Sequence, residues 1–174
     1  MSDGYLLDTN VISVLANSRH ADHDEIEKRV RALDHVWLPV IAIAEIEFGM
    51  AKSELADEFQ RSGIRKCFES FPQPLGIGPN TVEPYSHLRA QLWRMHATKQ
   101  TRGHREKLPE ELMDRVSGRE LGIDERDLLI ASIAAENGLI LVTRDRNAGM
   151  RFIDQAGKEL RARGAPVDLR IEYW

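Results

Sequence analysis

"DLLIASIAAENGLILVTRD", residues 127–145, holds the pattern on which the fold turns. With its flank, "ERDLLIASIAAENG" (125–138) reads as a helix of small and apolar residues. Asn137–Gly138 closes it, because Asn and Gly tolerate the left-handed turn that ends many helices. "LILVT" (139–143) is then almost wholly apolar. A strand with one wet face would alternate polar and apolar residues. An unbroken apolar run marks a strand covered on both faces, the usual condition of a parallel sheet. Asp145 follows it after one residue.

The same rhythm extends through the chain. A strand is expected at about 4–8, a helix over 10–18 through Val11, Val14 and Leu15, and a second over 24–35 through Ile26, Val30 and Leu33. "VWLP" (36–39) is a short strand stopped by Pro39. A long helix is expected over 41–60, broken near Gly63, with a second piece to about Ser70. "PLGIGP" (74–79) is turn chemistry around a short strand, and 82–99 is amphipathic. A helix near 153–163 and an alternating tail, "VDLRIEYW", complete the pattern. Alternating strands and helices predict the α/β class with a mainly parallel sheet.

The 174 residues, 42% apolar and 30% charged, fit a single domain, 1–174, with a proper core. The net charge of −4 gives no general attraction to nucleic acid, so any such binding must rest on local patches. The longest apolar run, about Leu38–Ile46, contains Pro and Glu and falls short of the ~20 residues of a membrane span. "MSDGYLLD" lacks a basic region followed by an apolar stretch, so no secretory signal is expected. Cys67, the single cysteine, cannot form an intrachain disulfide and fits a reducing cytoplasm. Residues 99–123 break the rhythm. They are polar, carry several glycines and a proline, and read as a surface insertion with one helix at 109–117.

Four acids sit at the ends or on the apolar faces of these elements. Asp8 ends the first strand, Glu45 interrupts "VIAIAEIEFG", Asp127 opens "DLLIASIA", and Asp145 follows "LILVT". Each has a local use. Asp8 can cap the following helix, and Glu45 can face solvent. Asp127 suits a first helical turn, and Asp145 a turn in "TRDRN". Local uses do not explain why an acid recurs at so many core edges. Strand ends and helix starts meet at one edge of a parallel sheet, where α/β proteins build their sites. Converging carboxylates repel unless a cation lies among them. Oxygen ligands without a Cys or His cluster suit Mg²⁺ or Mn²⁺. Such a centre can activate water and stabilise in-line displacement at phosphorus.

"YLLDTNVIS", "IAIAEIEFGM" and "RDLLIASIAAENGLILVTRD", in this order, resemble the PIN-domain family, and within it the VapC-type toxin ribonucleases of type II toxin–antitoxin systems. The resemblance covers most of 5–153 outside the insertion. It implies a three-layer α/β/α sandwich, a metal-dependent RNA endonuclease holding one or two Mg²⁺ or Mn²⁺ ions, and a cytoplasmic toxin. The implied ligands are Asp8, Glu45, Asp127 and Asp145. Thr143 matches a supporting threonine, and Thr9 and Asn10 lie close enough to Asp8 to orient it or a metal-bound water. The resemblance also implies a cognate antitoxin protein as partner and a homodimer. "RDRNAGMRF" departs from the family pattern, which often has Asp-Phe soon after the last acid. Candidate contacts to RNA phosphates are Arg144, Arg146 and Arg151, with Lys99, Arg102, Arg105 and Lys107 in the insertion. The rival from another class is an inactive PIN-like module that binds RNA or protein without cutting. A dehalogenase-like phosphatase would want an acid where Asn10 stands, and a receiver domain a lysine where Arg144 stands.

Overall fold

The computed structural model describes residues 4–53, 58–97, 109–114 and 117–174. Lys99, Arg102, Arg105 and Lys107 lie outside them. The chain forms two compact units.

The first unit comprises Met1–Gly76, Leu139–Arg144 and Ile171–Trp174. Its sheet has the order β2-β1-β3-β4, with β1 at Tyr5–Leu7, β2 at Val36–Trp37, β3 at Ile140–Thr143 and β4 at Arg170–Tyr173. β1 runs parallel to both neighbours, pairing Leu6 with Trp37 and Leu7 with Val142. Leu6, Leu7, Leu141 and Val142 are fully buried, as the unbroken apolar run requires. The sheet is therefore parallel and the class α/β, as the helix–strand alternation predicts.

Around the sheet stand α1 (Thr9–Leu15), α2 (His23–Arg31), α3 (Val40–Lys52) and α4 (Glu58–Glu69). α1 presents Val11, Ile12 and Val14 inward, and α2 presents Ile26 and Val30. The helix expected over 41–60 leaves helical geometry at Ser53, whose backbone is extended. Gly63 does not break the chain; it lies inside α4. A β-carbon there would meet nothing within 4 Å, so its cost is the flexibility of glycine, about 0.5–1 kcal/mol. Phe48 on α3 is 67% exposed, whereas Met50 is buried.

The second unit comprises Ile77–Gly138 and Asp145–Arg170. It contains α5 (Val82–His96), α6 (Glu125–Glu136) and α7 (Ala148–Ala162), which pack on one another. α6 buries Leu128, Ile130, Ala131, Ser132, Ile133 and Ala134, nearly its full circumference. α7 begins at Ala148, earlier than the helix expected near 153–163. In place of the helix expected at 109–117 there is a 3-10 turn at Pro109–Glu111, then an antiparallel bridge between Met113 and Glu120. Gly118 turns that bridge with a φ of 66°. Leu112, Leu121 and Ile123, within the region expected to be a surface insertion, are at most 3% exposed. Trp93 is 44% exposed on α5. No described helix is long and apolar enough to cross a membrane.

Candidate active site

β1 is flanked by β2 on one side and β3 on the other, so the chain's course reverses about β1. Open α/β sheets place ligands beyond the carboxyl ends of the strands at such a reversal. Asp8 occupies that place. Its amide donates to the Val142 carbonyl at 2.9 Å, which continues the β1–β3 register by one residue. Thr143 then lies beside it at the end of β3.

Asp8 is only 2% exposed. A carboxylate is seldom buried without partners, because its charge loses hydration. Three donors replace that water. The Thr9 amide donates to Oδ1 at 2.7 Å, while the Thr143 hydroxyl and the Asn10 side-chain amide donate to Oδ2 at 2.7 and 2.9 Å. Asn10 also donates to the Thr143 hydroxyl at 3.1 Å. Asp8 is at the same time the residue that begins α1, its carbonyl accepting from the amides of Val11 and Ile12. The capping use and the buried-acid use are thus combined in one residue.

Thr9 joins the second acid to the first. Its hydroxyl donates to Glu45 Oε2 at 2.5 Å, while its amide holds Asp8. Glu45 is half-buried on α3 and borders a cavity of about 330 Å³, shared with Ser13, Asn17, Met50 and Ser53. A second cavity, about 690 Å³, lies among α1, α2 and α4 around Leu15, Val30, Cys67 and Phe71; none of the four acids lines it.

Asp127 and Asp145 belong to the second unit. Asp127 is half-buried in the first turn of α6, which Asp124 caps by accepting from the Arg126 amide at 2.8 Å. The Arg126 guanidinium also pairs with Asp124 and holds its carboxyl below the usual range. Asp145 is half-buried two residues beyond β3, and its Oδ1 accepts from the Asn147 amide at 2.7 Å at the entry to α7. Among the described residues, no three His, Cys, Asp or Glu side chains form a ready-made ion cage. The side-chain oxygens of Asp8, Glu45, Thr9 and Thr143 are carboxylate and hydroxyl oxygens, a set whose hardness fits Mg²⁺ or Mn²⁺.

Arg144 has a partner that the sequence did not suggest. Its guanidinium pairs with Asp22, which sits at the start of α2. That contact draws the Asp22 carboxyl below its ordinary value. Arg146 and Arg151 are exposed. In the second unit, the Tyr85 hydroxyl donates to Glu125 and Arg89 donates to Tyr85. Burial, with the Glu125 carboxylate, pushes the Tyr85 hydroxyl up to about 12.

A parallel α/β sheet with a buried, triply held acid at its carboxyl-edge reversal defines the class of protein. The chain belongs to the PIN-domain family: the family model described as PIN domain matches residues 5–152. Solved structures carry the same fold along the chain. VapBC2 from Rickettsia felis, bound to a DNA fragment from its promoter, is similar with a TM-score of 0.60 at 20% identity, covering 98% of each chain. VapBC-5 from Mycobacterium tuberculosis, a member of the VapBC family of toxin–antitoxin systems, gives 0.54 at 18% identity over 99% of each. VapBC-1 from nontypeable Haemophilus influenzae gives 0.61 at 21% identity, covering 98% of this chain and 97% of that one. At these identities the likeness establishes the fold. Among curated protein sequences, none matches the chain.

Proposed function

We propose that this PIN-domain chain is a divalent-cation-dependent endoribonuclease acting as the toxin of a toxin–antitoxin pair. The observation that carries the proposal is Asp8: a carboxylate 2% exposed, held by three donors at the sheet's carboxyl edge and linked through Thr9 to Glu45. A fold does not by itself specify an activity. Such an expensive burial of charge at the position where this architecture places ligands calls for a functional use.

In this reading Asp8, Glu45, Asp127 and Asp145 hold one or two Mg²⁺ or Mn²⁺ ions. When bound, the cation supplies Lewis-acid activation of water and charge neutralisation at phosphorus. The chain's own residues do the rest. Thr143 and Asn10 fix the rotamer of Asp8 by donating to it. Thr9 sets the spacing of Asp8 and Glu45. Arg146 and Arg151, and in the segment outside the described residues Arg102 and Arg105, meet RNA phosphates, while Arg144 stays paired with Asp22. Those contacts make binding salt-dependent. The partners are an antitoxin protein and a second copy of the chain, in the cytoplasm. Support for the toxin reading comes from the similar VapBC-5, described as belonging to a toxin–antitoxin system.

The test is cleavage of mixed RNA by the purified chain with Mg²⁺, with Mn²⁺ and with EDTA. Cleavage is expected with either metal and none with EDTA, and Asp8→Asn should reduce the rate by on the order of 100-fold or more, a loss typical of removing a group that acts in the transition state. Full activity of Asp8→Asn, or cleavage in EDTA, sinks the metal mechanism. Retention of intact RNA without cleavage favours a binding module.

A further inference from the structure

We infer that Asp22, which touches none of the four acids in the candidate centre, is a positioning residue for Asp8, acting through Arg144 and Asn10. The inference rests on the reading of Asp8 as part of an active site.

Asp22 stands where an aspartate ordinarily caps a helix. Its side chain makes no capping bond to α2. Instead its carboxylate takes the guanidinium of Arg144, 122 residues away in sequence. Arg144 directly follows Thr143, the last residue of β3. Its backbone amide donates to Asn10 Oδ1 at 2.9 Å. Asn10 in turn donates from Nδ2 to Asp8 Oδ2 at 2.9 Å and to the Thr143 hydroxyl at 3.1 Å.

This sequence of bonds settles which way the Asn10 amide faces. A primary amide carries an acceptor at one end and donors at the other. The Arg144 N–H demands the oxygen, and so the NH₂ is turned onto Asp8. The opposite orientation would set a carbonyl oxygen against a carboxylate. Arg144 therefore selects the donor that Asp8 receives, and Asp22 holds Arg144. Arg144 is 28% and Asp22 42% exposed, so the outer contact is reached by solvent. The His20 ring stands near the outer contact, 3.9 Å from the Asp22 carboxylate.

Arg144 was expected from sequence to contact RNA phosphate. The positioning role is distinct, because its effect falls on turnover rather than on RNA affinity. Outer partners of metal-site ligands commonly change activity or metal affinity by about 10- to 100-fold.

The test uses the full chain and Asp22→Asn, a change that leaves α2 a good capping residue and removes the charge that holds Arg144. Without metal or RNA, nuclear magnetic resonance should show the Asn10 side-chain amide shifted and exchanging faster with solvent. In cleavage assays kcat should fall about 10-fold or more with KM for RNA little changed, and Asp22→Glu should restore both readouts. Arg144→Lys, which keeps the charge and loses the planar fork, should shift the Asn10 amide in the same direction and serves if Asp22→Asn does not fold. An Asn10 amide unchanged in the folded variant overturns the inference, whether or not the chain cuts RNA. A rise in KM alone also overturns it and makes Arg144 a phosphate contact. A wild-type chain that fails to cleave removes the nuclease reading, while the resonance experiment still decides the linkage.

Discussion

At the scale of single residues, what matters is how each buried polar group is satisfied. Asp8 has its hydration replaced by one backbone and two side-chain donors. Cys67 is the opposite case. It is half-buried on α4 beside Leu15, Val30 and Phe71, and burial alone pushes its thiol from 9.0 up to about 11. The thiolate is the reactive form, so at neutral pH the folded chain should be alkylated by iodoacetamide far more slowly than the unfolded chain. Its rate should still be rising at pH 10, where an ordinary thiol has levelled off. The linkage has a definite sign. The folded state keeps the Cys67 proton more tightly than the unfolded state, so stability is intact below about pH 9 and is lost as pH rises towards 11. Thermal melts of wild type and Cys67→Ala between pH 8 and 11 check this: only the wild type should lose the Cys67 share. Rapid labelling at pH 7 would contradict it.

At the scale of elements, close approach decides which residues are allowed. α7 begins with Ala148–Gly149, within the stretch "RDRNAGMRF" that departs from the Asp-Phe pattern. The second unit explains Gly149. A β-carbon on it would lie 2.0 Å from the Gly122 carbonyl oxygen and 2.7 Å from its carbon. Those are backbone atoms that cannot swing away, and Gly122 itself holds a φ of 68°. Gly149→Ala should therefore destabilise the chain by about 1–3 kcal/mol, the usual cost of overpacking, measured by urea unfolding. An unchanged midpoint would show that the 122–123 loop yields freely. Much of this architecture was legible beforehand, for an identifiable reason. β1, β3 and α6 are apolar runs with acids at their ends, and burial on both faces leaves that mark in a sequence. Asp8, Thr9, Asn10 and Thr143 were legible because they are neighbours of those runs. The Asp22–Arg144 pair was not, since it joins exposed-looking residues 122 positions apart and has no periodicity. Nor was the burial of Leu112, Leu121 and Ile123, three isolated apolar residues in a polar stretch whose core role depends on tertiary packing. Ser53 ends α3 without a glycine or proline to announce it.

At the scale of the whole molecule, the candidate ligands are divided between two compact units, Asp8 and Glu45 in one, Asp127 and Asp145 in the other. If one centre uses all four, an ion that binds only the folded chain must stabilise both units together. The stabilisation follows from mass action: at 100 times its dissociation constant a ligand adds about 2.7 kcal/mol. For a chain of 174 residues, each kcal/mol raises the melting temperature by about 2–4 °C. Saturating Mg²⁺ or Mn²⁺ should thus raise the midpoint by roughly 5–11 °C over EDTA, in one cooperative transition. Asp8→Asn and Asp127→Asn should each remove most of that rise, although their residues lie in different units. The readout requires no RNA and no turnover, so it separates ion binding from catalysis. A rise that survives Asp127→Asn but not Asp8→Asn would confine the ion to the first unit and reduce the proposed centre to Asp8, Glu45 and their hydroxyl neighbours. No rise in the wild type would leave the burial of Asp8 to its hydrogen bonds alone, and the four-acid centre would be withdrawn.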